Sequence, residues 1–225
     1  MSPAADARGA RLLRLGLLLA VGMAVAPGCV MPGGRVHGVL RATAEHEDAL
    51  ALSDALETLI AEGADTPADR EFAWKAVKRH DEDTAASCFA RAAITGRLVQ
   101  QRGLLGANLV PDVEHYARRS RELDPEFRGG AATRLLGTLY VIAPAALIKH
   151  GDSEEGLDLL EGLTREHPDV LENHLRLAEA YIALGDPAPA TPHLCTCLDG
   201  RARLRQDDQQ LLDRLVAGVG ALKCP

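Results

Sequence analysis

Leu177-Ala178-Glu179-Ala180-Tyr181-Ile182-Ala183-Leu184-Gly185-Asp186-Pro187-Ala188-Pro189-Ala190-Thr191-Pro192-His193-Leu194 decides the fold. Leu177, Ala178 and Tyr181 share one face at helical spacing, Gly185-Asp186 makes a turn, and Ala190 and Leu194 resume that spacing beyond it. The same order occurs upstream in Leu136-Gly137, Tyr140, the Gly151-Asp152 turn, Gly156, Leu160, Leu163 and Pro168. Gly156 and Ala190 lie 34 residues apart, so the second helices of the two copies are in register.

A small residue, a large apolar residue and a closing proline at that period form the tetratricopeptide pattern, in which pairs of helices stack on one another. The first helices run longer: Gly137 and Ala178 lie 41 residues apart, and the apolar, proline-containing segment Ile142 to Ile148 is expected to carry about two extra turns. A weaker copy fits Phe72-Ala73, Ala76, Asp81, Ala85, Phe89 and Ala92, and a half-unit spans Val113 to Pro125 through Tyr116, Ala117 and Leu123. Small residues let paired helices approach, and Phe89, Leu160 and Leu194 are expected to fill the gaps between pairs. Asp207 to Leu222, with Leu211, Leu212, Leu215, Val219 and Leu222 on one face, reads as a terminal capping helix. The expected fold is all-α, a tetratricopeptide-like α-solenoid of roughly three and a half helix pairs plus a C-terminal capping helix.

Composition agrees. Aromatic residues make up only 3% of the 225, which favours closely packed helices over a sheet of β-branched and aromatic side chains. A formal net charge of -7, without a basic stripe, argues against a nucleic-acid partner.

Arg8, Arg11 and Arg14 precede the apolar run Leu15 to Ala26, which ends in Pro27, Gly28 and Cys29; this is the order of a secretory signal. Residues 1–28 are read as a lipoprotein signal peptide, with Cys29 as the lipidation site in a lipobox-like setting where Ala26 takes the usual large aliphatic position. Acyl chains on Cys29 would hold the chain on the membrane, at roughly 0.8 kcal/mol per buried CH₂. Val30, not an acidic residue, follows, and the resemblance to sorted lipoproteins implies an anchor on the periplasmic side of the outer membrane; a soluble periplasmic protein is the alternative. Residues 29–43 are read as a flexible tether and 44–225 as the helical domain. An oxidising compartment permits disulfides, and Cys224 could reach Cys195 or Cys197; Cys88 reads as a small buried apolar residue.

No nucleophile elbow, phosphate-binding glycine loop or His-Glu-x-x-His motif occurs, so the chain reads as a non-enzyme without cofactor, catalytic or metal residues. His167 and His174 are seven apart but split by Pro168, and Cys195-Thr196-Cys197 lacks zinc spacing. Glu154-Glu155 and Asp207-Asp208 sit at helix starts, where the macrodipole favours them.

The inner wall of the array is the candidate binding surface. The repeat register projects Arg70, Trp74, Val77 and Lys78 onto it from one unit, Arg134, Thr138, Val141 and Ile142 from the next, and Glu172, Asn173, Leu175, Glu179 and Ile182 from the last. Aliphatic side chains with a lone Trp and a few charges suit an apolar ligand with one polar end, or a partner helix; the alternative is that several of them are core.

Glu122-Leu123-Asp124-Pro125, Arg134-Leu135-Leu136-Gly137-Thr138-Leu139-Tyr140, Ala143-Pro144, Gly151-Asp152 and Glu172-Asn173-His174-Leu175 with Leu177-Ala178-Glu179 resemble the signature run of the TatT family, over about Phe72 to Leu198. TatT proteins are tetratricopeptide lipoproteins associated with tripartite ATP-independent periplasmic (TRAP) transporters. The resemblance implies a periplasm-facing lipoprotein that forms a homo-oligomer, a trimer, with an apolar pocket through each protomer, docking a TRAP-type substrate-binding protein. It supplies no catalytic residue. The alternative function is a tetratricopeptide scaffold for envelope protein-protein interactions without a small-molecule ligand.

Overall fold

Ten α-helices account for most of the residues that the computed structural model describes, 34–220 and 222–224, and no strand occurs among them. The leader and Cys29 lie outside the described residues. The helices are α1 (Gly38–His46), α2 (Ala49–Ala61), α3 (Pro67–Val77), α4 (Ala85–Arg102), α5 (Val110–Leu123), α6 (Ala131–Ile142), α7 (Ser153–Glu166), α8 (Leu171–Ala183), α9 (Ala190–Asp199) and α10 (Gln206–Val219). The chain is all-α. No described helix is long and apolar enough to cross a membrane.

Local chemistry fixes the starts and stops. Asp48, Thr66, Thr84 and Asp152 cap α2, α3, α4 and α7 with side-chain oxygens on otherwise unpaired backbone N–H groups. Thr66 and Asp69 complete a reciprocal capping box. Gly63 and Gly185 follow α2 and α8 at φ +65 and +83, left-handed values that a side chain would strain.

Consecutive helices pack on one another, but the even-numbered ones do more. α2 touches α4, α4 touches α6, α6 touches α8, α8 touches α10, and α10 returns to α2. These five helices form a closed inner ring, and α3, α5, α7 and α9 lie outside it, each between its two ring neighbours. One core cluster packs Leu40, Leu52, Leu56, Ala73, Val77 and Ile94 at the N-terminal side, and another packs Leu171, Leu175, Leu194, Cys197, Leu204 and Leu212 at the C-terminal side. Between them, Leu160 is fully buried and the Phe89 ring meets that of Phe127 with centroids 5.7 Å apart and planes tilted by 55°.

Four expectations change. The tether ends earlier than Thr43, because α1 begins at Gly38 and buries Leu40 completely, while the buried Asp69 accepts from the backbone N and Nδ1 of His37 at 2.8 Å each. Ile142 to Ile148 adds no helical turns: Pro144 disfavours helix at the residue before it, Ala143 turns extended, and Ala145–Leu147 form only a 3-10 turn. The segment leads to Lys149 and His150, whose backbone N–H groups donate to the buried Glu114 at 2.9 and 2.8 Å. α3 is an outer helix, half a unit out of register with the copy expected from Phe72; Ala73 and Ala76 are buried toward the N-terminal core. α10 does not only cover an end, since it closes the ring on α2.

Cys224 pairs with Cys195, with Cα atoms 5.5 Å apart, and both Cys88 and Cys197 are free and buried. The α6–α7 crossing depends on two glycines at the repeat positions. A Cβ on Gly137 would sit 2.9 Å from the Gly156 carbonyl oxygen, and one on Gly156 would sit 2.9 Å from that of Gly137. Gly137→Ala is expected to destabilise the fold by about 1–3 kcal/mol through overpacking. Gly162→Ala on the open side of α7, where nothing lies within 4 Å, should stabilise by up to about 1 kcal/mol through helix propensity. Urea denaturation of the two variants checks the opposite signs.

Candidate functional site

Each helix of the inner ring contributes polar or charged side chains to a shared wall. Glu57 of α2 receives Arg97 of α4 at 2.7 and 2.6 Å in a bidentate pair, and Arg205, at the N-cap of α10, at 2.6 Å. Arg97 and Arg205 both reach Asp207, at 3.2 and 3.0 Å. Arg176 of α8 joins Glu179 at 2.9 Å to the buried Asp208 at 2.8 Å. The fork of a guanidinium matches a carboxylate in two places at once, which makes such pairs directional as well as attractive.

Burial sets the proton affinities along this wall. Burial alone would raise the Glu57 carboxyl, but the hydrogen bonds and charge of Arg97, then Arg205, hold it below its ordinary value. Asp208 goes the other way: burial raises it against the pull of Arg176. Arg97 is raised, because the Glu57 bonds and charge, followed by the charges of Asp207 and Asp208, outweigh the burial that would lower it.

Arg134 of α6 differs from its neighbours. Its Nη1 donates to Asn173 Oδ1 at 2.8 Å, and among the described residues no carboxylate oxygen lies within 4.0 Å of it. Burial, the largest influence, lowers its pKa, while Glu172 acts in the opposite sense. Asn173 is itself fully buried and gives its amide to the His167 carbonyl at 3.4 Å, which keeps its oxygen turned to Arg134.

The structure brings part of the projected wall together. Arg134, Asn173 and Glu172 converge, and Thr138 donates back to the Arg134 carbonyl at 2.8 Å. Ile142 is 48% exposed on the same face of α6, whereas Val141 packs against the Leu160, Leu177 and Ala180 cluster. Glu179 is taken by Arg176, and Ile182 packs against the C-terminal core. Val77 and Leu175 belong to the core and line no groove, being almost completely buried. Arg70 binds Asp65 at 2.6 Å and the Arg97 carbonyl at 3.3 Å, bracing α3 on α4. Trp74 lies on outer helix α3, packed against the N-terminal core, with Lys78 Nζ 3.4 Å from its ring centroid and Arg102 beyond. Glu57, Arg97, Arg176 and Arg205 were not anticipated, and Asp207-Asp208 act as ion-pair partners as well as helix-start acids. Their partners lie as far as 148 residues apart in the chain, so no local pattern announces them.

Two open clefts lie outside the ring. One of about 370 Å³ is lined by Arg118, Arg121, Glu122, Leu136, Tyr140, His150 and Glu155. The other, of about 310 Å³, adjoins it through Arg121 and Pro125. In the first, burial and then Glu114 push the Tyr140 hydroxyl up to about 12, so it stays protonated at neutral pH.

No protein-family model matches the chain, and no curated protein matches it.

Two outcomes follow, one on this wall and one on α9 outside it. Glu57→Gln leaves Arg97 and Arg205 facing a neutral amide and is expected to cost about 3 kcal/mol of unfolding free energy, measured by urea denaturation. The second concerns His193, whose imidazole is held below 6.5 by burial and then by His174, against Glu161. The unfolded chain therefore takes up this proton first, and stability present above about pH 6.5 is lost as pH falls through the lower folded value. The wild-type melting temperature should drop more between about pH 7 and pH 5 than that of His193→Asn, followed by circular dichroism.

Proposed function

We propose that the chain is a lipid-anchored periplasmic accessory protein, resembling the TatT component of TRAP transporter systems, that carries a small, partly apolar organic acid and hands it to or from a substrate-binding protein. Its array is tetratricopeptide-like, with helix pairs repeating at the 34-residue spacing of Gly156 and Ala190 and curled until the ends meet. Cys29 is the proposed anchor, on the periplasmic side of the outer membrane, and the assembly a homo-oligomer, a trimer by resemblance. The work is binding and not catalysis.

The observation that carries the ligand reading is Arg134, which among the described residues has no carboxylate partner on a wall where Arg97, Arg176 and Arg205 each have at least one. A partly buried guanidinium keeps its charge, so an anion supplied from outside completes the pairing that the protein leaves open. Thr138 and Ile142 run from it along the same face of α6 at helical spacing and suit an apolar body behind an acidic head.

A second reading, a protein-docking scaffold, is favoured by Leu104 and Leu105, adjacent leucines 91% and 85% exposed in the 3-10 turn between α4 and α5. One titration series separates the two. Decanoate should bind the mature chain, decanol should bind more weakly, and Arg134→Gln should weaken decanoate by about tenfold, or 1.4 kcal/mol, without affecting decanol. Equal binding of acid and alcohol, unchanged in Arg134→Gln, sinks the acid-carrier reading. Loss of a co-purifying substrate-binding protein in the Leu104→Ser, Leu105→Ser double variant alone supports the scaffold.

A further inference from the structure

His174 on α8 and His193 on α9 meet with their Nδ1 atoms 2.8 Å apart, their ring centroids 5.1 Å apart and their planes 40° from parallel. The other nitrogen of His174, Nε2, lies 2.8 Å from the Pro168 carbonyl oxygen. A carbonyl has no proton to give, so Nε2 carries the hydrogen, and the neutral ring of His174 directs an Nδ1 lone pair at His193. A backbone carbonyl behind one nitrogen is also how metal-bound imidazoles are oriented, because it fixes the tautomer and the ring plane together.

The His193 ring is braced as well. Tyr181 stacks beside it, with centroids 6.2 Å apart and planes 16° from parallel, and the Tyr181 hydroxyl donates to Glu161 Oε1 at 2.5 Å. In the resting pair, one proton lies between the two Nδ1 atoms. Moving it from His193 Nδ1 to His193 Nε2, with no net loss of protons, leaves a lone pair on each of two nitrogens 2.8 Å apart.

The spacing fits an ion. A divalent ion held at about 2.0–2.1 Å by each of two nitrogens spans a nitrogen–nitrogen edge of about 2.9 Å at a right angle and about 3.4 Å at the tetrahedral angle. The observed 2.8 Å is within tenths of an ångström of that range. We infer that His174 and His193 form a binding site for one divalent transition-metal ion of the class that prefers imidazole, zinc, copper or nickel, with water filling the remaining positions. The site joins α8 and α9 and does not depend on the carrier reading.

A second group, Glu126, Glu166 and His167, also gathers potential ligand atoms within 4.8 Å of one another. It offers a single imidazole and two solvent-exposed carboxylates, a poorer set for these ions, and it serves as the comparison.

The test is calorimetric titration of zinc into untagged, chelator-stripped protein near neutral pH. One zinc per chain is expected, with affinity weakened roughly tenfold or more in His174→Gln and in His193→Gln, and unchanged in His167→Gln. His193→Asn gives a second variant at the same position, and a thermal melt of each confirms folding. Zinc should also raise the melting temperature of the wild type and not of the His174 and His193 variants. Absence of saturable binding, binding lost in His167→Gln, or binding indifferent to both His174 and His193 overturns the assignment.

Discussion

Glu57 is the carboxylate on which closure of the molecule depends. It sits on the second helix and receives one guanidinium from the fourth and another from the start of the tenth, 148 residues further along the chain. A stack of helix pairs joined only by neighbour contacts has two free ends and can flex along its length. Here the last helix is returned to the first layer by charge, and Asp207 lets both arginines be shared between α4 and α10. Directional pairs fix register and angle where aliphatic side chains alone would permit sliding.

The same choice decides what the centre of the ring can do. Arginines and carboxylates that satisfy one another leave little for a ligand to gain, and the wall is a framework over most of its length. Arg134 is where the matching stops, held in place through Asn173 without being neutralised. Among the described residues, Arg134 is thus a cation of the wall whose partner is a neutral amide, and the proposed preference for an acidic ligand rests on it.

What could be read from the sequence follows from the range of each interaction. Helices α6 to α9 were legible because Leu136, Gly137, Tyr140, Gly156, Leu177, Ala178 and Ala190 act within one repeat, where spacing along the chain is spacing on a face. α3 was misplaced because Ala73 and Ala76 fit the small-residue positions of the repeat but face the N-terminal core that α1 and α2 build. The Ile142 to Ile148 segment was read as helix from its apolar residues, and the backbone restriction imposed by Pro144 prevailed. Within the candidate site, Arg134, Glu172 and Asn173 came from register, whereas Glu57, Arg97 and Arg205 could not, because ring closure is a property of the accumulated curvature and of no single segment. Val77 and Leu175 were projected onto the wall and lie behind it, since a tightly curled array buries helix faces that a gently curved one would expose.

The Cys195–Cys224 bridge joins α9 to the residues just past α10, enclosing the closing helix in a loop of 29 residues. Cross-linking a loop of that length removes about 3.6 kcal/mol worth of freedom from the unfolded chain. The redox state of the surroundings is thereby coupled to the shape of the molecule. Where thiols are kept reduced, α10 is held by its apolar face of Leu211, Leu212, Leu215, Val216 and Val219 and by its ion pairs, and material prepared there starts from a looser ring than oxidised material.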